Sequence, residues 1–208
     1  MSSEYTIKDN ISRSYFGMKY RELISYIKLL PRLPQSFGFG VQSPSAYYFI
    51  KYVINEKYPY YSYDLLNNTF IDLPIKDIRL YQLYFRLVNY IQPHSWIDLT
   101  SHSNITSKFV TAGKKQINYQ FLSDVSEIHS FDIALVDEID EFQIKKLIDS
   151  AKKDSLLIIE HIYTSKEKKS FWKRIIQDNR VSVTFDLYEC GLVFFDDRPK
   201  NHYKLLLR

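Results

Sequence analysis

The sequence predicts an α/β protein, with parallel strands joined by crossover helices, a helical N-terminal part and an antiparallel finish, on three observations. Short apolar runs at 96–100, 131–137 and 155–160 each end in a polar or acidic residue, and helix-like segments alternate with them. Amphipathic, Pro-punctuated segments fill the first 93 residues before any strand-like run. After Val181 three apolar runs follow one another without room for helices, which reads as hairpin-like antiparallel strands.

Taken in order, residues 15–30 place Tyr20, Leu23, Ile24, Ile27 and Leu30 on one helical face, and Pro31 and Pro34 end that helix. The loop 36–44 carries Gly38 and Gly40, two of five glycines in the chain, so its backbone turns tightly or approaches something closely. A helix over 45–55 follows, with Ser43 or Ser45 as its cap and Pro44 suited to the first turn. The tyrosine-rich stretch after it reads as a loop or a partly helical connector. Residues 76–91 form a long amphipathic helix stopped by Pro93. The strands are expected at Trp96–Thr100, Phe131–Asp137, Ser155–Glu160, Val181–Tyr188, Gly191–Phe195 and Tyr203–Leu207. Ligands of open parallel sheets bind outside the strands' carboxyl ends, which brings Asp98, Asp137 and Glu160 to one edge.

Composition narrows the function classes. At 208 residues the chain suits one structural domain, an N-terminal helical segment (1–93) packing on an α/β core (94–208). No apolar run reaches the roughly 20 residues of a membrane span, and the N-terminus lacks the features of a signal peptide, so the cytoplasm is the expected location. The net charge of +4 is spread along the chain, which argues against nucleic acid as a partner; an RNA-associated role would show as affinity falling steeply with salt. The single Cys190 cannot close an intramolecular disulfide and is expected to be packed near a strand end. The 18 tyrosines and 14 phenylalanines recur within apolar segments and read as packing.

The run GFGVQSPSAYYFI (38–50), together with FRLVNYIQP (85–93), FDIALVD (131–137), SLLIIEHIYTSKE (155–167) and RVSVTFDLYECGLVFF (180–195), resembles bacterial class I S-adenosylmethionine-dependent methyltransferase-like proteins with an N-terminal G-x-G-V-x-S-P motif. The resemblance covers about residues 36–208 and implies a Rossmann-like methyltransferase sheet. It also implies adenosylmethionine as cofactor and methyl transfer, to oxygen in particular, on a small molecule. In that family an acidic residue at the end of the first strand precedes a glycine-rich turn, E/D-x-G-x-x-x-G. Here Asp98 keeps the acid, while Thr100 and Asn104 stand at the glycine positions. A Cβ at either place pushes the cofactor outward or demands another turn. The interval from Asp98 to Ile133 is barely longer than one βαβ unit of about 30 residues, so the sheet is expected to be shortened in its middle, with Ile117–Leu122 as the remnant.

The resemblance carries Asp98, Thr100, Ser101, Asn104 and Asp124 over to cofactor binding. It carries Asp137, Glu160 and His161 over to orienting or deprotonating the methyl acceptor, and Gly38, Gly40, Gln42 and Ser43 to a substrate loop. Each has a structural alternative. Asp98 and Ser101 are also good turn and cap residues. The 38–43 loop could equally join two helices at a sharp angle. His161 in place of a second acid weakens a magnesium site, and no ligand spacing signals a metal, so none is expected. His102 and His129 are expected to be solvated. The alternative to a methyltransferase is a catalytically inactive protein of the same fold that serves a ligand or a protein partner, with a homodimer as one arrangement. The first reading expects a pocket beside Asp98; the second expects residues 100–104 to fill that space.

Overall fold

A computed structural model describes residues 27, 29–137 and 140–208; most of the helix expected over 15–30 lies outside them. Seven strands form one sheet in the order β2-β1-β3-β4-β6-β5-β7. They are β1 (Ser95–Asp98), β2 (Asn118–Phe121), β3 (Phe131–Val136), β4 (Ala151–Glu160), β5 (Val183–Asp186), β6 (Cys190–Phe194) and β7 (Asn201–Lys204). β1 to β4 are mutually parallel, and β6 runs antiparallel to both β4 and β5. This is a Rossmann-like α/β sheet with an antiparallel strand, β6, in its second half. Between β1 and β3 it holds one helix, one strand and one 3-10 turn, the shortened middle that the sequence predicts.

The final strand differs from expectation. β7 pairs parallel with β5 instead of forming a hairpin. Both edges of β6 are already taken, by β4 and β5, and β6 ends beside the start of β5, so the last segment enters there along the outer edge of β5 and runs parallel to it.

The helices among the described residues are α1 (Leu33–Ser36), α2 (Pro44–Phe49), α3 (Tyr61–Thr69), α4 (Ile75–Ile91), α5 (Ser103–Gly113), α6 (Glu141–Ser150) and α7 (Lys166–Gln177). Ser43 caps α2 by accepting from the Ala46 amide, and the expected helix continues past Phe49 as a π-helical turn, Ile50–Ile54. The tyrosine-rich connector proves largely helical, as α3. α4 ends at Gln92, left-handed at φ 55, just before Pro93, a common way to stop a helix.

Alternation along the strands divides the core in two. Trp96, Ile133, Leu135, Leu156, Ile158, Phe185 and Leu192 face the layer of α2, α4 and α5, joined by Phe49, Leu83, Tyr84, Leu87 and Phe109. Ile97, Ala134, Val136, Leu157, Ile159 and Val193 face α6 and α7, with Leu147, Trp172 and Ile175. Period-2 side chains on strands buried on both faces produce this split. No helix among the described residues is long and apolar enough to cross a membrane.

Gly38 and Gly40 of the 36–44 loop both lie at positive φ. Gly38 has φ +87, and a Cβ there would lie 2.4 Å from the Tyr47 ring. Gly38→Ala is expected to cost about 1–2 kcal/mol, the penalty of a left-handed residue, because Tyr47 is partly exposed and can move aside. Chemical denaturation of the variant measures it.

Candidate functional site

β1 leads to β2 on one side and the chain returns to β3 on the other, so the switch point of the sheet lies between β1 and β3. Open α/β sheets bind ligands outside the carboxyl ends at such a point. The residues there are Asp98, the loop 99–102, and Asp137 just beyond β3.

Asp98 is fully buried. Its Oδ1 accepts from the Thr100 amide and from Thr100 Oγ1, both at 2.7 Å, and its Oδ2 accepts from Tyr119 Oη at 2.5 Å. Burial raises the Asp98 pKa, and the Tyr119 and Thr100 hydrogen bonds pull against it. Tyr119 is pushed far above its ordinary range by burial and by Asp98, so it stays a donor, and its one hydroxyl proton is shared between Asp98 and the Ser103 carbonyl, 2.9 Å away.

Glu160, at the end of β4, is 1 % exposed. Its Oε1 accepts from Tyr84 Oη in a very short hydrogen bond and lies 3.1 Å from His102 Nε2. His102 is therefore not the solvated loop residue the sequence suggests: its side chain is 22 % exposed, and its ring packs edge-on against Tyr81, centroids 5.7 Å apart. Burial lowers its pKa, but the hydrogen bond and charge of Glu160, with Asp98 and Asp137 adding, outweigh this and hold it above the usual histidine value. Burial together with Glu160 drives the Tyr84 pKa upward, which keeps its proton in place. His129 is exposed.

The other sequence candidates divide. Asp137 and Glu160 both line a cleft of about 280 Å³ between α6 and α7, floored by Ile159, Ile162 and Trp172. The Asp137 carbonyl accepts from Lys168 Nζ at 3.0 Å. His161 is about half exposed at φ 56, its Nδ1 3.9 Å from Glu160 Oε2. Thr100 is buried against Asp98, whereas Ser101 and Asn104 face solvent and Asn104 Oδ1 accepts from the next amide. The N-cap of α5 is His102, without a side-chain cap bond, in place of Ser101. Asp124 is exposed and caps a 3-10 turn through Ser126, which lowers its pKa. Gln42 is exposed and Ser43 is the α2 cap, while the preceding residues Gln35 and Ser36 accept from the Lys204 and Leu206 amides. No group of three or more His, Cys, Asp or Glu among the described residues is arranged to hold a metal ion.

Sequence reasoning missed four members of this edge. Tyr84 and Tyr119 hold the two buried carboxylates, and Arg32 and Asp186 form a buried pair at the end of β5. A tyrosine on the apolar face of an amphipathic helix, as at position 84, signals a hydroxyl that needs a partner.

Adenosylmethionine does not fit this edge as it stands. Both oxygens of Asp98 are taken by the chain's own donors, the carboxylate has no exposed surface, and side chains stand where the cofactor turn needs glycine.

No family model matches the chain, and no curated protein matches it. Among solved structures, a methyltransferase from Geobacter sulfurreducens superposes with a TM-score of 0.46 at 12 % identity, covering 64 % of this chain and 86 % of that one. A methyltransferase from Podospora anserina bound to SAH gives 0.46 at 8 % identity, covering 65 % and 86 %. The O-methyltransferase TomG from Streptomyces achromogenes, in complex with SAM, gives 0.44 at 9 % identity, covering 72 % and 94 %.

Proposed function

We propose that this chain is a class I methyltransferase-like protein whose cofactor seat has been given over to its own side chains, and that it acts as a binding or interaction module instead of a methyl-transfer catalyst. The carrying observation is Asp98, fully buried with both carboxylate oxygens bonded internally. Tyr119 and Thr100 supply the donors that a ligand hydroxyl or amine would otherwise replace. Opening that carboxylate breaks three hydrogen bonds to a charged group, each worth about 1.5–3 kcal/mol. This reading expects a cytoplasmic protein with a small molecule or another protein as its partner.

The cleft between α6 and α7 favours a second reading, a small-molecule methyltransferase in which Asp137, Glu160 or His161 takes the acceptor's proton. That reading needs Asp98 to turn outward. Calorimetric titration with adenosylmethionine and adenosylhomocysteine separates the two. No heat and no thermal shift at millimolar ligand is the expected result. Micromolar binding that disappears in Asp98→Ala would establish a working cofactor site and overturn the first reading.

A further inference from the structure

The loop that closes the switch point is fastened at two places of different chemistry. At its start, Thr100 is tied back to Asp98 by its amide and its hydroxyl. At its end, His102 reaches past β3 to Glu160 on β4. The first tether works at any pH where Asp98 is ionised. The second depends on the imidazole: as a cation it always donates from Nε2, and as a neutral ring it donates only in one of two tautomers.

We infer that residues 99–102 form a strap across the β1/β3 switch point, latched by His102 on Glu160, and that loss of the His102 proton loosens the strap. This rests on the reading above, that the seat is closed by its own loop. Glu160 is a fixed catch, because it is buried and its Oε1 also accepts from Tyr84. The groups facing His102 are Glu160 from β4, Asp98 from β1, Asp137 from beyond β3, and the Tyr81 ring from α4. The three carboxylates favour the imidazolium, and burial opposes it.

The sign follows from linkage. A histidine whose folded pKa lies above its unfolded value stabilises the folded arrangement fully below the unfolded pKa, and that contribution is lost as pH rises through the folded pKa. The strap is therefore tight in mild acid and looser in mild base.

Hydrogen exchange of the amides of residues 99–106, corrected for intrinsic rates, tests this at about pH 5.5 and about pH 9, on either side of the histidine range. In the unaltered protein protection is expected to drop severalfold at the higher pH. In His102→Ala it is expected to sit at the low level at both. Should His102→Ala fold poorly, Glu160→Gln serves, with the proton NMR titration of His102 expected to move to lower pH. Protection of the loop that is independent of pH in the unaltered protein, or a titration unmoved by Glu160→Gln, overturns the latch. Adenosylmethionine binding to the unaltered protein would sink the closed-seat reading and leave these measurements standing.

Discussion

Arg32→Ala is expected to lower stability by about 3–5 kcal/mol, because it strands a buried carboxylate. Arg32 donates to Asp186 Oδ1 at 2.6 Å and Oδ2 at 3.2 Å, and to the carbonyls of Asp186 at 3.0 Å and Leu205 at 3.2 Å. Its guanidinium lies over the rings of Tyr163 and Tyr188, 5.3 and 5.5 Å from their centroids. Asp186 is fully buried and also accepts from Tyr163 Oη at 2.5 Å, and burial beside that carboxylate lifts the Tyr163 pKa to about 12. Removing the cation leaves Asp186 with neutral donors alone in a site closed to water. Thermal unfolding should show a fall of roughly 10 °C. The double variant Arg32→Leu with Asp186→Leu should recover much of that loss, since apolar replacement of a whole buried pair is often near neutral. A loss below 1 kcal/mol for Arg32→Ala would mean that water reaches Asp186.

The position of this pair explains why the sequence could not reveal it. Arg32 and Asp186 are 154 residues apart, and Arg32 sits between two prolines in what reads as a helix terminus. Nothing local distinguishes it from a solvated arginine. The strands at Trp96, Phe131, Ser155 and Gly191, by contrast, were legible because burial on both faces forces continuous apolar runs with acids at their ends. Asp98, Asp137 and Glu160 share an edge for the same reason, the common direction of β1, β3 and β4. The direction of β7 was not legible, since pairing depends on which edges remain free once the rest of the sheet is built. The shortened middle was visible as a length. What fills it was not: His102 reads as a loop polar residue until β4 brings Glu160 beside it.

Tyr84→Phe tests how Glu160 is held. Glu160 is buried at the carboxyl edge, where Tyr84 donates from α4 and His102 approaches from the strap. Tyr84 itself has no exposed surface. Deleting its hydroxyl removes a hydrogen bond to a charged group without changing the shape of the ring, at a cost of about 1.5–3 kcal/mol. The loss should depend on pH. At low pH the His102 cation remains and compensates part of the missing donor. As pH rises through the folded His102 pKa that partner fades, and the destabilisation by Tyr84→Phe should grow. The same change leaves Glu160 fewer competing donors, so His102 should hold its proton more tightly and its NMR titration should move to higher pH. Urea unfolding of the variant and the unaltered protein in mild acid and mild base measures the first effect. A constant difference between the two proteins, with an unmoved His102 titration, would mean that Tyr84 and His102 do not share Glu160, and that the strap is fastened by its Asp98 end alone.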